Sequence, residues 1–154
     1  MERNLQHSGI TSQIINAYYK VYNTLGYGFL EKVYLKSLLL ELRKVGLRCS
    51  SQEFIKVYYE GSEVGFYIAD IIVNECVIIE VKAAESLCLE HEAQLTNYLK
   101  ATDIEVGLLL NFGKEAELKE RYFRQSIKKG KIIFNPNNHK NPCSISSGFK
   151  KKNI

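Results

Sequence analysis

The chain has 154 residues, 45% of them hydrophobic and 25% charged, which fits one soluble globular domain and excludes a fibrous or disordered class. No apolar run approaches the roughly 18 residues that a membrane span needs. Met1 to Gly9 is polar without a basic-then-apolar signal pattern, so a cytoplasmic location is expected.

The formal net charge of +4 has a definite place. Lys140, Lys150, Lys151 and Lys152 lie in a stretch from Asn135 onward that holds no acidic residue, and the remainder of the chain is formally neutral. A domain over residues 1–134 followed by a disordered basic tail over 135–154 is therefore expected. A second basic run, Lys119, Arg121, Arg124, Lys128, Lys129 and Lys131, faces a single Glu120. Such a run reads first as a solvated face and second as a phosphate track. The four cysteines, Cys49, Cys76, Cys88 and Cys143, are scattered. Their spacing matches neither a zinc site nor an iron–sulfur cluster, and buried thiols in a reducing compartment account for them.

In chain order, Ile10, Ile14, Ala17, Tyr18, Val21 and Tyr22 recur at helical spacing and predict a helix from about Thr11 to Asn23. Leu25-Gly26-Tyr27-Gly28 breaks it. A second helix follows, with Leu30, Val33, Tyr34, Leu38, Leu42 and Val45 on one face and Gly46 as a left-handed cap. Phe54, Val57 and Tyr59 mark a strand that leads into a turn at Glu60-Gly61-Ser62-Glu63. Val64–Val73 and Cys76–Lys82 form a hairpin about Asn74-Glu75. Helical period returns between Leu87 and Ala101, on Leu89, Ala93, Leu95, Tyr98 and Leu99. Val106 to Leu110 reads as a central strand covered on both faces. Glu115 to Ile127 fits helix and strand equally. This order predicts an α/β fold: an antiparallel meander extended by one parallel crossover strand, with flanking helices.

The chemistry concentrates at Glu80-Val81-Lys82. With a period of two, Ile78, Glu80 and Lys82 share one face of the strand, while Val77, Ile79 and Val81 share the other. On the preceding strand Ile68, Asp70 and Ile72 share a face. A three-residue loop centred on Glu75 sets Asp70 opposite Glu80, whereas a two-residue loop turns Glu80 away, so a slip of one residue would dismantle the site. Buried charges are costly unless paired or bound to metal. A salt bridge from Lys82 to one acid leaves a second acid close by. A divalent cation would relieve both, and oxygen-only ligands suit Mg²⁺ or Mn²⁺. The triplet alone leaves salt bridge and metal site open. Glu31 begins a helix within Gly28-x-x-Glu31-x-x-Tyr34, and Gln94 and Tyr98 share one helix face just after the Glu80–Lys82 strand. Taken singly, Glu31 reads as a helix-dipole charge and Tyr98 as core. His91, at a helix start, reads as a cap or as a residue at the site's edge.

Together these residues resemble the GxxExxY proteins, a family placed in the PD-(D/E)xK nuclease superfamily. The resemblance spans about Ile10 to Arg124. It includes His91-Glu92-Ala93-Gln94-Leu95, Asn97 to Thr102 and Gly107 to Gly113. It implies a restriction-endonuclease-like core in which Asp70, Glu80 and Glu31 bind Mg²⁺ (or Mn²⁺). Lys82 would position or deprotonate the attacking water, and Gln94 and Tyr98 would orient substrate or support the site. The implied reaction is hydrolysis of DNA phosphodiester bonds. The rival reading is a non-catalytic module that keeps the nuclease fold and binds nucleic acid or a protein. A domain this small offers little surface to grip a duplex, which makes a homodimer or a partner protein an expectation too.

Overall fold

A computed structural model describes residues 7–124. Two helices open the chain, α1 (Ser8–Leu25) and α2 (Glu31–Lys44). Ile14, Ala17, Tyr18 and Val21 form the buried stripe of α1, and Tyr34, Leu38, Leu39 and Leu42 that of α2. Leu30 and Val45, expected on the buried face of α2, are instead exposed. They flank the helix rather than belong to it, so its period does not govern them. Gly46 has φ of +83°, the left-handed cap expected there.

Five strands follow: β1 (Cys49–Tyr59), β2 (Ser62–Val73), β3 (Val77–Lys82), β4 (Val106–Phe112) and β5 (Ala116–Tyr122). Helix α3 (Leu89–Ala101) connects β3 to β4. The sheet order is β1-β2-β3-β4-β5, in which only β3 and β4 run parallel. The α/β meander with one parallel crossover is thus present. The ambiguous segment after Glu115 is the antiparallel edge strand β5. Its alternation is blurred because its residues from Ala116 to Arg121 are all half-buried.

Helices cover both faces of the sheet. On one, α1 and α2 pack against Ile71, Val73, Val77, Ile79, Val81, Leu108, Leu110 and Phe112. On the other, Leu95, Tyr98 and Leu99 of α3 pack against Ile78 and Leu109. Each such aliphatic residue, fully buried, contributes roughly 1.5–3 kcal/mol. Helix α3 approaches β4 closely where Gly107 leaves room, since a Cβ there would meet the Leu95 side chain at 2.8 Å. Leu89 and Ala93, expected on the buried face of α3, are exposed because its inward stripe starts only at Leu95.

Two departures shape the site. First, β2 pairs with β3 only from Val73 to Ile71, then stays with β1 alone, so the sheet forks beside β3. Second, both β1 and β2 change face near that fork. Ile71 and Val73 join the α1–α2 layer, whereas Ala69, two residues earlier, joins the α3 layer. Likewise Cys49 packs with the first layer, and Ile55 and Val57 with the second. As a result Phe54 and Tyr59, which mark β1 in the sequence, stand 63% and 62% exposed, and Ile55 and Tyr58 are buried instead.

No described helix is long and apolar enough to cross a membrane. Of the described cysteines, the free thiols Cys49 and Cys88 are half-buried and exposed respectively, so buried thiols do not account for the set. Cys143, the expected tail from Asn135 onward, and Lys128, Lys129 and Lys131 lie outside the described residues.

Candidate functional site

The β2–β3 loop is Asn74-Glu75-Cys76, closed by the pair Val73↔Val77. This is the three-residue loop. Continued one step past Ile71↔Ile79, its register sets Asp70 opposite Glu80. There the main-chain ladder stops and the two acids take over its bonds. The Asp70 N–H donates to Glu80 Oε1 at 3.2 Å, and the Val81 N–H donates to Asp70 Oδ2 at 2.9 Å. A fork in a buried sheet would otherwise strand backbone donors, and that is costly.

The electrostatics are adverse to two ionised acids. Burial, then the Asp70 charge beside it, pushes the Glu80 carboxyl up to about 8. Burial also raises Asp70, against the lowering effects of the Val81 N–H and the Lys82 charge. Lys82 shares the face of Glu80, with Nζ 3.9 Å from Oε2, an ion pair too long for a hydrogen bond.

Glu31 is the first residue of α2 and is solvent-exposed. It acts on Glu80 through space, raising its pKa further. The surrounding motif has a physical account. Gly28 has φ of +105° in the α1–α2 loop, a conformation that glycine adopts freely. The buried Tyr34 hydroxyl donates to the Gly26 carbonyl at 2.6 Å and accepts from the Phe29 N–H at 3.1 Å. Its ring stacks on Phe112 at 4.4 Å. The glycine turns the loop and the tyrosine pins it, which fixes where α2 and Glu31 begin.

From the other layer, Gln94 Nε2 donates to the Tyr98 hydroxyl at 2.6 Å, and that hydroxyl lies 3.4 Å from the Ile68 carbonyl. Burial and the charges of Glu80 and Asp70 push Tyr98 up to about 12. Gln94 and Tyr98 therefore brace β2 two residues before Asp70. His91 accepts a hydrogen bond from the Cys88 N–H at Nδ1 and closes the N-terminus of α3, the cap reading.

Several further residues position the site without being candidates for a role in it on sequence grounds. Asn111 is fully buried in β4 and holds Ala84 at both ends. Its Oδ1 accepts from the Ala84 N–H at 2.9 Å, and its Nδ2 donates to the Ala84 carbonyl at 3.0 Å. A lone amide in an apolar strand is the signal that could have found it, since a buried amide must be bonded. At Gly113 any Cβ would collide with that same carbonyl. Glu117 accepts from the Leu87 N–H at 3.1 Å. Glu92 of α3 bonds both Lys119 and Arg121 of β5. Two of the three described residues of the basic run, Lys119 and Arg121 but not Arg124, are thereby engaged in holding α3 to the sheet. Gln52 Nε2 lies 3.4 Å from Asp70 Oδ1, and no sequence pattern announces it.

No group of three or more His, Cys, Asp or Glu among the described residues is gathered closely enough to hold a metal ion. The donor set of Asp70 and Glu80 nevertheless fits a hard divalent cation. Glu80 is buried and Asp70 half-buried, burial raises both carboxyls, and the Asp70 charge raises Glu80 further. Mg²⁺ needs only one or two carboxylates when water and a substrate phosphate complete its shell.

A family model described as PD-(D/E)XK nuclease superfamily matches residues 8–124. No curated protein and no solved structure matches the chain.

Proposed function

The chain belongs to the PD-(D/E)XK nuclease superfamily, and from that premise we propose that it is a divalent-metal-dependent nuclease that hydrolyses DNA phosphodiester bonds. The observation that carries the proposal is the reciprocal Asp70–Glu80 arrangement at the sheet fork, with Lys82 beside it. Asp70 and Glu80 would hold Mg²⁺ or Mn²⁺. A bound cation supplies charge that stabilises the negative charge developing on phosphate. Glu31, at the start of α2, is close enough for its charge to act on Glu80 and would complete the acidic surroundings. Lys82 Nζ would orient the attacking water and hold or take its proton. Gln94 and Tyr98 would keep β2, and so Asp70, in place from α3. Within the superfamily, the pinned loop from Gly28 to Tyr34 favours the GxxExxY branch.

The substrate is DNA, and a second copy or a partner protein would supply the additional grip that a domain of this size lacks. The test is Mg²⁺- or Mn²⁺-dependent cleavage of single- and double-stranded DNA by wild type, Asp70→Ala and Lys82→Ala. Cleavage that requires metal and vanishes in both variants supports the reading. Absence of both cleavage and metal binding in wild type transfers the proposal to a non-catalytic module of the same fold.

A further inference from the structure

Gln52 is the one described non-glycine residue that takes a left-handed backbone conformation within a strand. Its φ is +56°, while the others with positive φ, Glu60, Asn74 and Glu75, sit in the two hairpin turns. In a turn that geometry is ordinary for a hairpin, but in mid-strand it is a steric cost. The cost is local. Ser51 pairs with Ile71 and Glu53 with Ala69, so the ladder here misses a single step, where Gln52 faces Asp70. At this same step both strands change the face they present to the helices.

A site that required only the rollover would be served by glycine, which adopts this φ without penalty. Glutamine adds one thing, an amide that reaches Asp70. Its Nε2 lies 3.4 Å from Asp70 Oδ1, while Oδ2 takes the Val81 N–H at 2.9 Å. The carboxylate is thus held at both oxygens, from β1 on one side and from β3 on the other. Backbone strain of this kind persists where the surroundings over-determine it, and active sites are where it gathers.

We infer that Gln52 is a positioning residue of the Asp70–Glu80 site, its strained mid-strand conformation serving to bring the side-chain amide onto Asp70 and fix the orientation of that carboxylate. The inference rests on the nuclease reading for its purpose but not for its geometry. Gln52 touches neither substrate nor cation in this role. It acts through Asp70.

The experiment uses Gln52→Gly, which permits the left-handed backbone without strain and removes the side chain with its amide. Hydrogen exchange of the Val81 N–H in metal-free protein reports whether Asp70 still points at it, and Asp70→Ala gives the fully released rate. The Val81 amide in Gln52→Gly is expected to exchange roughly tenfold faster than in wild type, about the value of one hydrogen bond. Amides of Ile79 and Leu108, deep in the sheet, should keep their rates, and thermal stability should stay at or above that of wild type. Mn²⁺ titration would show weaker binding to the variant by a similar factor. A Val81 rate unchanged in Gln52→Gly overturns the inference. So does a Val81 rate unchanged in Asp70→Ala, because the bond being positioned would then not exist. Absence of Mn²⁺ binding and of DNA cleavage in wild type removes the nuclease reading instead, and Val81 exchange still decides the role of Gln52.

Discussion

Asp70 and Glu80 each satisfy a main-chain donor at the other's strand. The Asp70 N–H bonds Glu80 Oε1, and the Val81 N–H, one residue past Glu80, bonds Asp70 Oδ2. The acids thereby replace the rungs lost where β2 leaves β3, and the fold positions them by the same bonds that close its ladder. Each carboxylate is in this way both structural and chemical. Glu80 is expected to respond when Asp70 loses its charge. In Asp70→Asn one source of repulsion is gone, so the Glu80 carboxyl should titrate below its present value of about 8. Side-chain carbon chemical shifts of Glu80 followed against pH in metal-free protein measure this directly, and an unmoved titration would disprove the coupling.

The raised acids also set the pH dependence of stability. Glu80 ordinarily titrates near 4.5 and is pushed up to about 8 in the folded chain. A carboxyl raised by folding binds its proton more tightly in the native state. Its contribution is complete below the unfolded pKa and is lost as pH rises through the folded one. Asp70, also raised, acts with the same sign. Metal-free protein should therefore melt at progressively lower temperature from about pH 5 to pH 9. Saturating Mn²⁺ at pH 8 should raise Tm by about 5–10 °C, the shift expected at a hundredfold excess over Kd. Calorimetry with and without metal reads both effects. A Tm that increases over this pH range without metal would refute the sign.

Much of this was legible in the sequence, and what was not has a physical cause. Ile78, Glu80 and Lys82 could be put on one face because period two is strict in a short strand covered on both sides. The loop of Asn74, Glu75 and Cys76 was one of two open choices, and only the pairing of Val73 with Val77 decided it. The burial of β1 could not be read from Phe54 and Tyr59, because a face change at Gln52 and a bulge between Val57 and Tyr58 reset the alternation. Asn111 and Gln52 escaped because their roles depend on contacts 27 and 18 residues away in the chain. Glu31 was legible as a helix start, but its distance from the acids is a tertiary fact that no local pattern carries.

Lys82 and the carboxylates should separate in their effects. The Lys82 ammonium is 3.9 Å from Glu80 and touches no described carboxylate more closely, so removing it leaves both oxygen donors in place. Lys82→Met keeps the bulk of the half-buried stem and deletes the charge. Cleavage should fall about 10²–10⁴-fold, the usual cost of losing a positioned proton-transfer group. Mn²⁺ binding measured by calorimetry should stay within a few-fold of wild type, or tighten as a nearby positive charge is lost. Loss of metal binding in Lys82→Met would show that lysine holds the acids rather than the water.

The Asn111 clamp predicts that a residue outside the acidic cluster controls the exit from β3. Lys82 and Asn111 are neighbours in the parallel register, and the Asn111 side chain binds Ala84 through both its amide nitrogen and its oxygen. Asn111→Leu preserves apolar volume in the strand but leaves the Ala84 N–H and carbonyl without these partners. Two part-buried backbone groups so exposed cost about 2–4 kcal/mol together, which lowers Tm by roughly 5–15 °C at this chain length. The loop that carries the chain from Lys82 to α3 would then move more freely, so kcat should fall further than folded fraction alone explains. Thermal melts combined with cleavage rates, taken well below the variant's Tm, separate the two effects. A variant of wild-type Tm would show that Ala84 finds other partners, and a kcat tracking folded fraction alone would confine Asn111 to stability.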